Sequence, residues 1–479
     1  MYQTMMLIDG EQVKSLSGRT AVIRNPANQE PVGQVFLGGR EEARAALEAA
    51  ERAFPAWAAT SPAARGKILH RAADLVRERQ EDLARLLTLE QGKPLKESRR
   101  EIQASADVLD YYAEEGRRIF GELVPSASAG SRSLVIRQPV GVAALITPWN
   151  FPVDLMSWKL APALAAGCTV VAKPPSLAPL AATAFVQTAH DAGAPPGVVN
   201  VVHGPGGQVG AELVENPISK KIAFTGESST GRWIMEHAAR HLKRLSLELG
   251  GHAPFIVCKD AHLDRAVEAC LRRAFNNMGQ ICISVNRVYV AEEVAEEFTN
   301  RLVEQTQRLK VGDGLDPGVD LGPMFSQQQR EKTREHIADA LEKGARLLCG
   351  GREPEGKEYE KGFFFLPTVL DHVDHSMLVM QEETFGPVAP IMTFQTVDQA
   401  LELANDSPYG LAAYIFTSDL STAFLAAERL EAGGVGVNVN NVAEIQAPFG
   451  GWKQSGFGRE LSHYGLEQYL EIKHIRLGI

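Results

Sequence analysis

Five cysteines, one glutamate inside an apolar run and one pair of glycines are the residues of this 479-residue chain whose surroundings could serve chemistry. Cys168, Cys258 and Cys270 lie in apolar runs, where a free thiol behaves as a small hydrophobe. Cys282 differs, because its segment, FNNMGQICISVNR, is polar and contains a glycine, as close approach of a substrate to a thiolate nucleophile requires. On the segment alone Cys282 is either that nucleophile or one more buried thiol. The cysteines, Cys349 included, are odd in number and widely separated, with no Cys-x-x-Cys pair and no interleaved histidine, so neither a disulfide frame nor a metal site is expected.

Glu248 stands in LSLELGG, where an unpartnered carboxylate would be costly to bury. Desolvation raises the pKa of such a group, which is useful in a general base. Gly226 and Gly231, in FTGESSTG, fall between an apolar run (KIAF) and a helical segment (GRWIMEHAARHL). A helix N-terminus there can face a pyrophosphate, although two glycines by themselves serve packing equally well.

The elements that must position these residues follow from hydrophobic periodicity. The first ~120 residues read as mostly helical, through EEARAALEAAERAF and the stretch from Ala64 to Leu87, with apolar residues at helical spacing. From Gly141 short apolar runs (GVAALIT, CTVVAK, VVNVVH, KIAF, LSLEL) alternate with helical segments such as Ala178–Ala192 and Gly231–Arg240, which predicts βαβ units and a parallel sheet. After Gly250-Gly251 the rhythm resumes with PFIV, a helix around Leu263–Asn277, VYVAE and a long amphipathic helix through Leu309. The Gly-Gly pair is therefore the expected domain boundary. The polar SASAGSRS segment and the ending YLEIKHIRLGI, an exposed strand by its pattern, suggest strands that pair with another subunit.

Length alone predicts more than one core, since cores stop growing near ~250–300 residues. An apolar share of 44% with 23% charged residues fits a folded, multidomain protein. A net charge of −10 argues against nucleic acid or anionic membrane as a general partner, because both need clustered Lys and Arg. The opening MYQTMMLIDGEQV lacks a charged segment followed by a long apolar run, and no apolar stretch approaches ~20 residues, so a cytoplasmic location is expected.

Seven segments, in order, identify a resemblance: TPWNFP at 147–152, KPP at 173–175, FTG at 224–226, LELGG at 247–251, GQIC at 279–282, EETFGP at 382–387 and PFGGWKQSGFGRE at 448–460. Together they resemble the aldehyde dehydrogenase superfamily, nearest its succinate-semialdehyde dehydrogenase branch. The resemblance implies an α/β fold of two Rossmann-like domains with parallel sheets and a small β oligomerisation arm. Residues 1–120 and 140–250 would bind the nucleotide, 251–450 would carry the nucleophile, and 121–139 with 461–479 would form the arm of a homodimer or homotetramer.

It also implies roles. Cys282 would attack a small-molecule aldehyde to give a thiohemiacetal and then a thioester, a step for which a thiolate is suited. Asn150 and a backbone N–H at the cysteine would hold the oxyanion, and Glu248 would activate the hydrolytic water. Lys159 and Glu460 would either relay the proton from Glu248 or form a plain surface ion pair. Thr147, Pro148, Trp149, Gly206, Gly210, Phe224, Thr225, Gly226, Ser228, Gly231 and Leu249 would line the nucleotide site, with Glu383 and Phe385 at the nicotinamide ribose and ring. Lys173 and Pro175 would hold the adenosine ribose. Ser176 stands where NAD-preferring members carry Glu, and removing that carboxylate removes its repulsion of a 2′-phosphate, so NADP is favoured over NAD. Glu227 follows FTG where a small residue is usual, so either it points away or the pyrophosphate lies differently.

The arginines that would read a dicarboxylic semialdehyde are expected at Trp158 and Asn276 and are absent. Trp158, as in general and amine-derived members, with Asp154 and Glu444 as carboxylates either near the pocket or outside it, favours a polar or cationic aldehyde; a semialdehyde or small polar aldehyde ranks first. Other outcomes of the same residues are a thiol esterase, a coenzyme A-acylating enzyme, against which Glu248 argues, and a non-catalytic binding protein.

Overall fold

The computed structural model describes residues 2–479. Its architecture follows from two sets of short apolar strands that cannot be satisfied by one exposed face. VAALI (Val142–Ile146) and TVVAK (Thr169–Lys173) are buried along their whole length, the signature of a parallel sheet covered on both sides. The first sheet runs in the order Gly456–Phe457, Arg244–Glu248, Ser219–Thr225, Val142–Ile146, Thr169–Lys173, Val199–Val201, Met6–Ile8, Glu11–Val13. Its five central strands are parallel, and the flanking strands pair antiparallel.

Strand order sets the place of the site. Val142–Ile146 is the first of the parallel set, its successors Thr169–Lys173 and Val199–Val201 lie on one side, and Ser219–Thr225 with Arg244–Glu248 lie on the other. The connections diverge from that point, so a crevice opens beyond the carboxyl ends of Val142–Ile146 and Ser219–Thr225. The segments TPWN and GESS leave the sheet there.

The second sheet runs Arg346–Cys349, Thr368–Asp371, Val388–Phe394, Val285–Ala291, Ala253–Val257, Ala412–Phe416, Gly434–Val437, parallel except for the first strand. The helices Leu263–Phe275 and Glu292–Gln307 flank it. A third, antiparallel sheet stands apart: Leu470–Gly478 pairs with Ser131–Pro139 over nine residues, and Glu122–Val124 adds the outer strand. Its Leu123 and Ile472 are each 69% exposed.

Two features depart from the sequence reading. Residues 2–36 form short strands joined by turns rather than helix, among them Tyr2–Thr4, Met6–Ile8, Thr20–Arg24 and Pro31–Phe36, and the helical layer begins only at Arg40–Ala59. Strands of three to six residues are too short to show a period: Met6–Ile8 pairs with the adjacent Glu11–Val13 and Thr20–Arg24 with Pro31–Phe36, and only Leu7 reaches as far as Val201. The stretch after 450 is also shared out: Gly456–Phe457 returns to the first sheet, and Ser462–Glu467 is a helix whose Ser462 carbonyl accepts from the Tyr112 hydroxyl at 3.1 Å. No helix among the described residues is long and apolar enough to cross a membrane.

Candidate active site

Cys282 follows the 3₁₀ turn Asn276–Gly279, in which Asn277 (φ 49°), Met278 (φ 58°) and Gly279 (φ 67°) are all left-handed. Left-handed Met is strained and persists only where its surroundings enforce it. Here the Gln91 amide donates to Asn277 Oδ1 at 2.9 Å, and the Asn277 amide donates to the Asn150 carbonyl at 3.1 Å. The turn delivers the thiol to the junction of two cavities. Gly251 backs it so closely that a Cβ there would lie 2.1 Å from the Cys282 carbonyl oxygen.

One cavity, of about 280 Å³, is lined by Phe151, Leu155, Trp158, Ile281, Ile283 and Phe449 together with Asp154 and Arg273. The other, of about 230 Å³, is lined by Thr225, Gly226, Glu227, Leu249, Glu383 and Phe385. Asn150 and Cys282 are the residues the two cavities share.

Asn150 ends the loop after Val142–Ile146 and is held from three sides. Its Nδ2 donates to the Gln280 carbonyl at 3.0 Å, and its own carbonyl accepts from Lys93 Nζ at 2.7 Å. Lys93 and Glu101 form an ion pair at 2.6 Å with neither side chain exposed. Glu101 Oε1 accepts the N–H groups of Val153 and Asp154 at 3.0 and 3.2 Å, and Lys93 Nζ lies 3.7 Å from the Phe151 ring centre. Every other hydrogen bond of these two side chains thus goes to the WNFPVD loop. Sequence reasoning missed Lys93 and Glu101 because the contacts span more than fifty residues and leave no local pattern.

Glu248 terminates the strand Arg244–Glu248, and neither carboxylate oxygen has a hydrogen-bond partner among the described residues. Burial pushes its carboxyl well above the ordinary range, and the nearby Glu460 adds to this against the pull of Lys159. Lys159 Nζ donates to Thr225 Oγ1 at 2.6 Å and lies 2.6 Å from Glu460 Oε1. The Glu460 contact is off the angle of a directed hydrogen bond, so it is an ion pair held by charge. Both side chains are almost fully buried, which replaces the surface-pair alternative with an interior one.

Burial pushes the Cys282 thiol up to about 12, the charges of Glu383 and Glu248 add to this, and Arg273 opposes it. Glu383 is itself pushed up to about 7 by burial, while its Oε1 accepts from Gly251 N–H at 2.9 Å. Phe385, left-handed at φ 52°, meets the Trp149 ring edge to face at 5.6 Å, and Gln329 holds its carbonyl at 3.0 Å.

At the switch point a third cavity, of about 640 Å³, is lined by Thr147, Pro148, Trp149, Lys173, Pro175, Ser176, Gly206, Gly210, Phe224, Thr225, Gly226 and Glu227. The helix Ser228–Ala238 begins at its edge with no side-chain cap from Glu227, leaving first-turn N–H groups open for an anion. Lys173 is 6% exposed and meets no carboxylate; its only contact is the Pro174 carbonyl at 3.5 Å, and burial pulls its pKa down to about 8. A buried cation without counter-charge, facing uncapped amides across a cleft, fits a phosphate-bearing dinucleotide. Ser176 is exposed at the mouth, and Glu227 is exposed where this cavity meets the nicotinamide-side one.

Seven expected residues line none of the three cavities: Glu248, Lys159 and Glu460, described above, and Ser228, Gly231, Asn276 and Glu444. Ser228 donates to the Gln454 carbonyl at 3.3 Å, while Ser229 and Thr230 line the nucleotide cavity instead. Gly231 faces the sheet, where a Cβ would lie 2.6 Å from Leu249, so its role there is helix–sheet packing. Asn276 caps the helix Leu263–Phe275 and is replaced at the cavity wall by Arg273, one turn earlier. Glu444 is exposed and bonded to Gln446 at 3.1 Å, with its neighbours Ala443 and Ile445 turned inward. No group of three or more His, Cys, Asp or Glu side chains suited to a metal occurs among the described residues.

Comparison with known proteins matches residues 13–475 to the Aldehyde dehydrogenase family. The chain is 48% identical over 479 residues to the NADP(+)-dependent succinate-semialdehyde dehydrogenase GabD of Escherichia coli, covering 100% of this chain and 98% of that protein. It is 45% identical over 479 residues to glutarate-semialdehyde dehydrogenase of Pseudomonas putida, with the same coverage. Among solved structures, betaine aldehyde dehydrogenase from Staphylococcus aureus in complex with NAD+ superposes with a TM-score of 0.97 at 38% identity, over 99% of this chain and 94% of that one.

Proposed function

Because the chain belongs to the aldehyde dehydrogenase family, and so carries out NAD(P)-dependent oxidation of an aldehyde to its acid, we propose that Cys282, Asn150 and Glu248 divide that reaction as nucleophile, oxyanion donor and hydrolytic base. The observation that carries the proposal is the position of Cys282 and Asn150 at the junction of the two smaller cavities. An aldehyde reaching Cys282 from the apolar side meets the thiol and the Asn150 amide together.

The Cys282 sulfur adds to the carbonyl carbon, and the resulting oxyanion takes hydrogen bonds from the Asn150 amide and the Cys282 backbone N–H. When bound, the nicotinamide supplies the acceptor for the hydride that leaves this carbon, so that a thioester remains on Cys282. Glu248 takes a proton from the water that attacks the thioester, and the Lys159–Glu460 pair beside it relays that proton onward. Lys173, Ser176 and the first turn of Ser228–Ala238 hold the phosphates. NADP is the preferred form: an unpaired buried Lys173 and an uncharged Ser176 suit a 2′-phosphate, and GabD bears NADP(+) in its name.

Residues 1–120 and 140–250 form the nucleotide-binding unit, 251–450 the unit that presents the nucleophile, and 121–139 with 461–479 the arm that assembles a homodimer or homotetramer through its exposed apolar strands. Five free cysteines support a reducing compartment such as the cytoplasm.

The test is the initial rate of cofactor reduction with aliphatic, aromatic and semialdehyde substrates, each with NAD and with NADP. Cys282→Ala should abolish it. Ester hydrolysis without cofactor reduction by any aldehyde would refute the assignment.

A further inference from the structure

Arg273 is the only cation lining the aldehyde-side cavity, and among the described residues it has no carboxylate within ion-pair distance. Its neighbour on the same helix, Arg272, is paired with Glu268 at 2.6 Å in the usual one-turn manner. Arg273 turns the other way. Its Nε donates to the Asn440 carbonyl and one terminal nitrogen to Asn441 Oδ1 at 3.2 Å, which fixes the plane of the guanidinium while leaving Nη1 without a protein partner. Ser284 Oγ, two residues past the nucleophile, donates to the Arg273 carbonyl at 2.9 Å, so the arginine and Cys282 are carried on one braced unit.

We propose that Arg273 reads the far end of the substrate, a terminal carboxylate on a short aldehyde, and so sets specificity. This rests on Cys282 being the nucleophile. The cavity holds one other charged residue, Asp154, which would favour an ammonium tail. Its Oδ1 accepts the Trp158 indole N–H at 3.1 Å, so it is committed to its own helix, and burial beside Glu101 holds it largely protonated up to about pH 7. Apart from Cys282, Asn150 and Asn441, whose Oδ1 already accepts from Arg273, the remaining wall is apolar and aromatic, with Trp158 and Phe449 edge to face at 5.1 Å, and holds no other charged group. Neither Trp158 nor Asn276 supplies a positive charge. A guanidinium oriented by two bonds and still open at one edge is arranged for charge-assisted recognition of a carboxylate. A volume of about 280 Å³ suits a tail of a few carbons rather than a long chain.

The experiment compares kcat/KM for succinate semialdehyde and glutarate semialdehyde with butanal and 4-aminobutanal, at saturating NADP, in the full-length enzyme, in Arg273→Ala and in Arg273→Gln. The native enzyme should favour a carboxylate-tailed aldehyde over butanal. Both variants should lower the carboxylate-to-butanal ratio ~10- to 100-fold, chiefly through KM, as expected for loss of a hydrogen bond to a charged group. Arg273→Gln keeps a donor for Asn440, so a collapsed ratio with an unchanged melting temperature isolates the charge from the fold. A native preference for butanal or 4-aminobutanal, or variants in which all substrates weaken equally, overturns the role of Arg273 while leaving the dehydrogenase reading intact. Silence toward every aldehyde overturns both.

Discussion

Glu248→Gln separates the two halves of the reaction. Neither Glu248 oxygen makes a hydrogen bond in the resting site, so an isosteric amide breaks no bond, and the fold loses nothing by the exchange. Its charge is one of the causes that raise the Cys282 thiol, so the neutral amide makes that thiol easier to ionise, and acylation survives. What is lost is the base for deacylation, worth ~100- to 10,000-fold. Rapid mixing with NADP and aldehyde should give a burst of one reduced cofactor per subunit, followed by a steady rate slower by that factor. Stability supplies a second reading. Glu248 has its pKa raised on folding, so the native protein loses stability as pH rises from the ordinary carboxylate range towards the raised value, by about 1.4 kcal/mol for each pH unit crossed. Glu248→Gln should therefore melt higher than the native protein at pH 8 and close to it at pH 4.5. Normal turnover without a burst would refute the assignment of the base. Loss of the burst itself, with melting unchanged, would move Glu248 to deprotonation of Cys282.

Asn150→Ala should lower kcat by ~100- to 1000-fold with little change in KM, since an oxyanion donor acts in the transition state. Lys93→Met leaves Glu101 without its cation and should destabilise by about 3–5 kcal/mol, measured by denaturant titration. It should also lower kcat, and combining it with Asn150→Ala should cost far less than the product of the two effects, because Lys93 acts by holding the backbone that carries the Asn150 amide. Additive losses would mean that the buried pair serves the fold alone. Ser176→Glu should raise the KM for NADP ~10- to 100-fold relative to that for NAD, by bringing a carboxylate to the mouth of the Lys173 cleft. An unchanged ratio would detach Ser176 from cofactor choice.

Legibility in the sequence tracks how local each interaction is. The central strands of both sheets and the helices between them are visible because fully buried strands are apolar throughout and the helices repeat at their own period. The strands before residue 37 are invisible because each is only three to six residues long, too short to show a period even where it pairs with its neighbour in sequence. Within the site, Cys282 and Glu248 stand in segments whose composition is unusual for their surroundings, whereas Asn150 is found only through the family resemblance. Arg273 does not: at the C-terminal end of an amphipathic helix, beside a second arginine, it reads as surface charge until the fold turns one of the pair inward. Ser228 and Gly231 show the converse, since the segment is right but the helix phase decides which side chains face the cleft, and Ser229 and Thr230 take that side.

The nucleophile's own acidity follows from its neighbours rather than from its segment. Burial raises the thiol, and each carboxylate that ionises nearby raises it further. Glu383 ionises near pH 7, so raising pH through neutrality adds negative charge beside Cys282 just where a free thiol would otherwise begin to ionise. Proton loss from Cys282 is therefore coupled to its attack and to the arrival of positive charge, of which Arg273 is the one protein source lining the aldehyde cavity. A pH profile of the burst should accordingly report the Glu383 carboxyl near pH 7, with no separate rise at the ordinary cysteine range of about 8.5. Iodoacetamide labelling of Cys282 in the absence of substrate checks this directly: labelling that rises as a single thiol titration near pH 8.5 would show that burial and the carboxylates do not govern the group, and the coupling argument would fall.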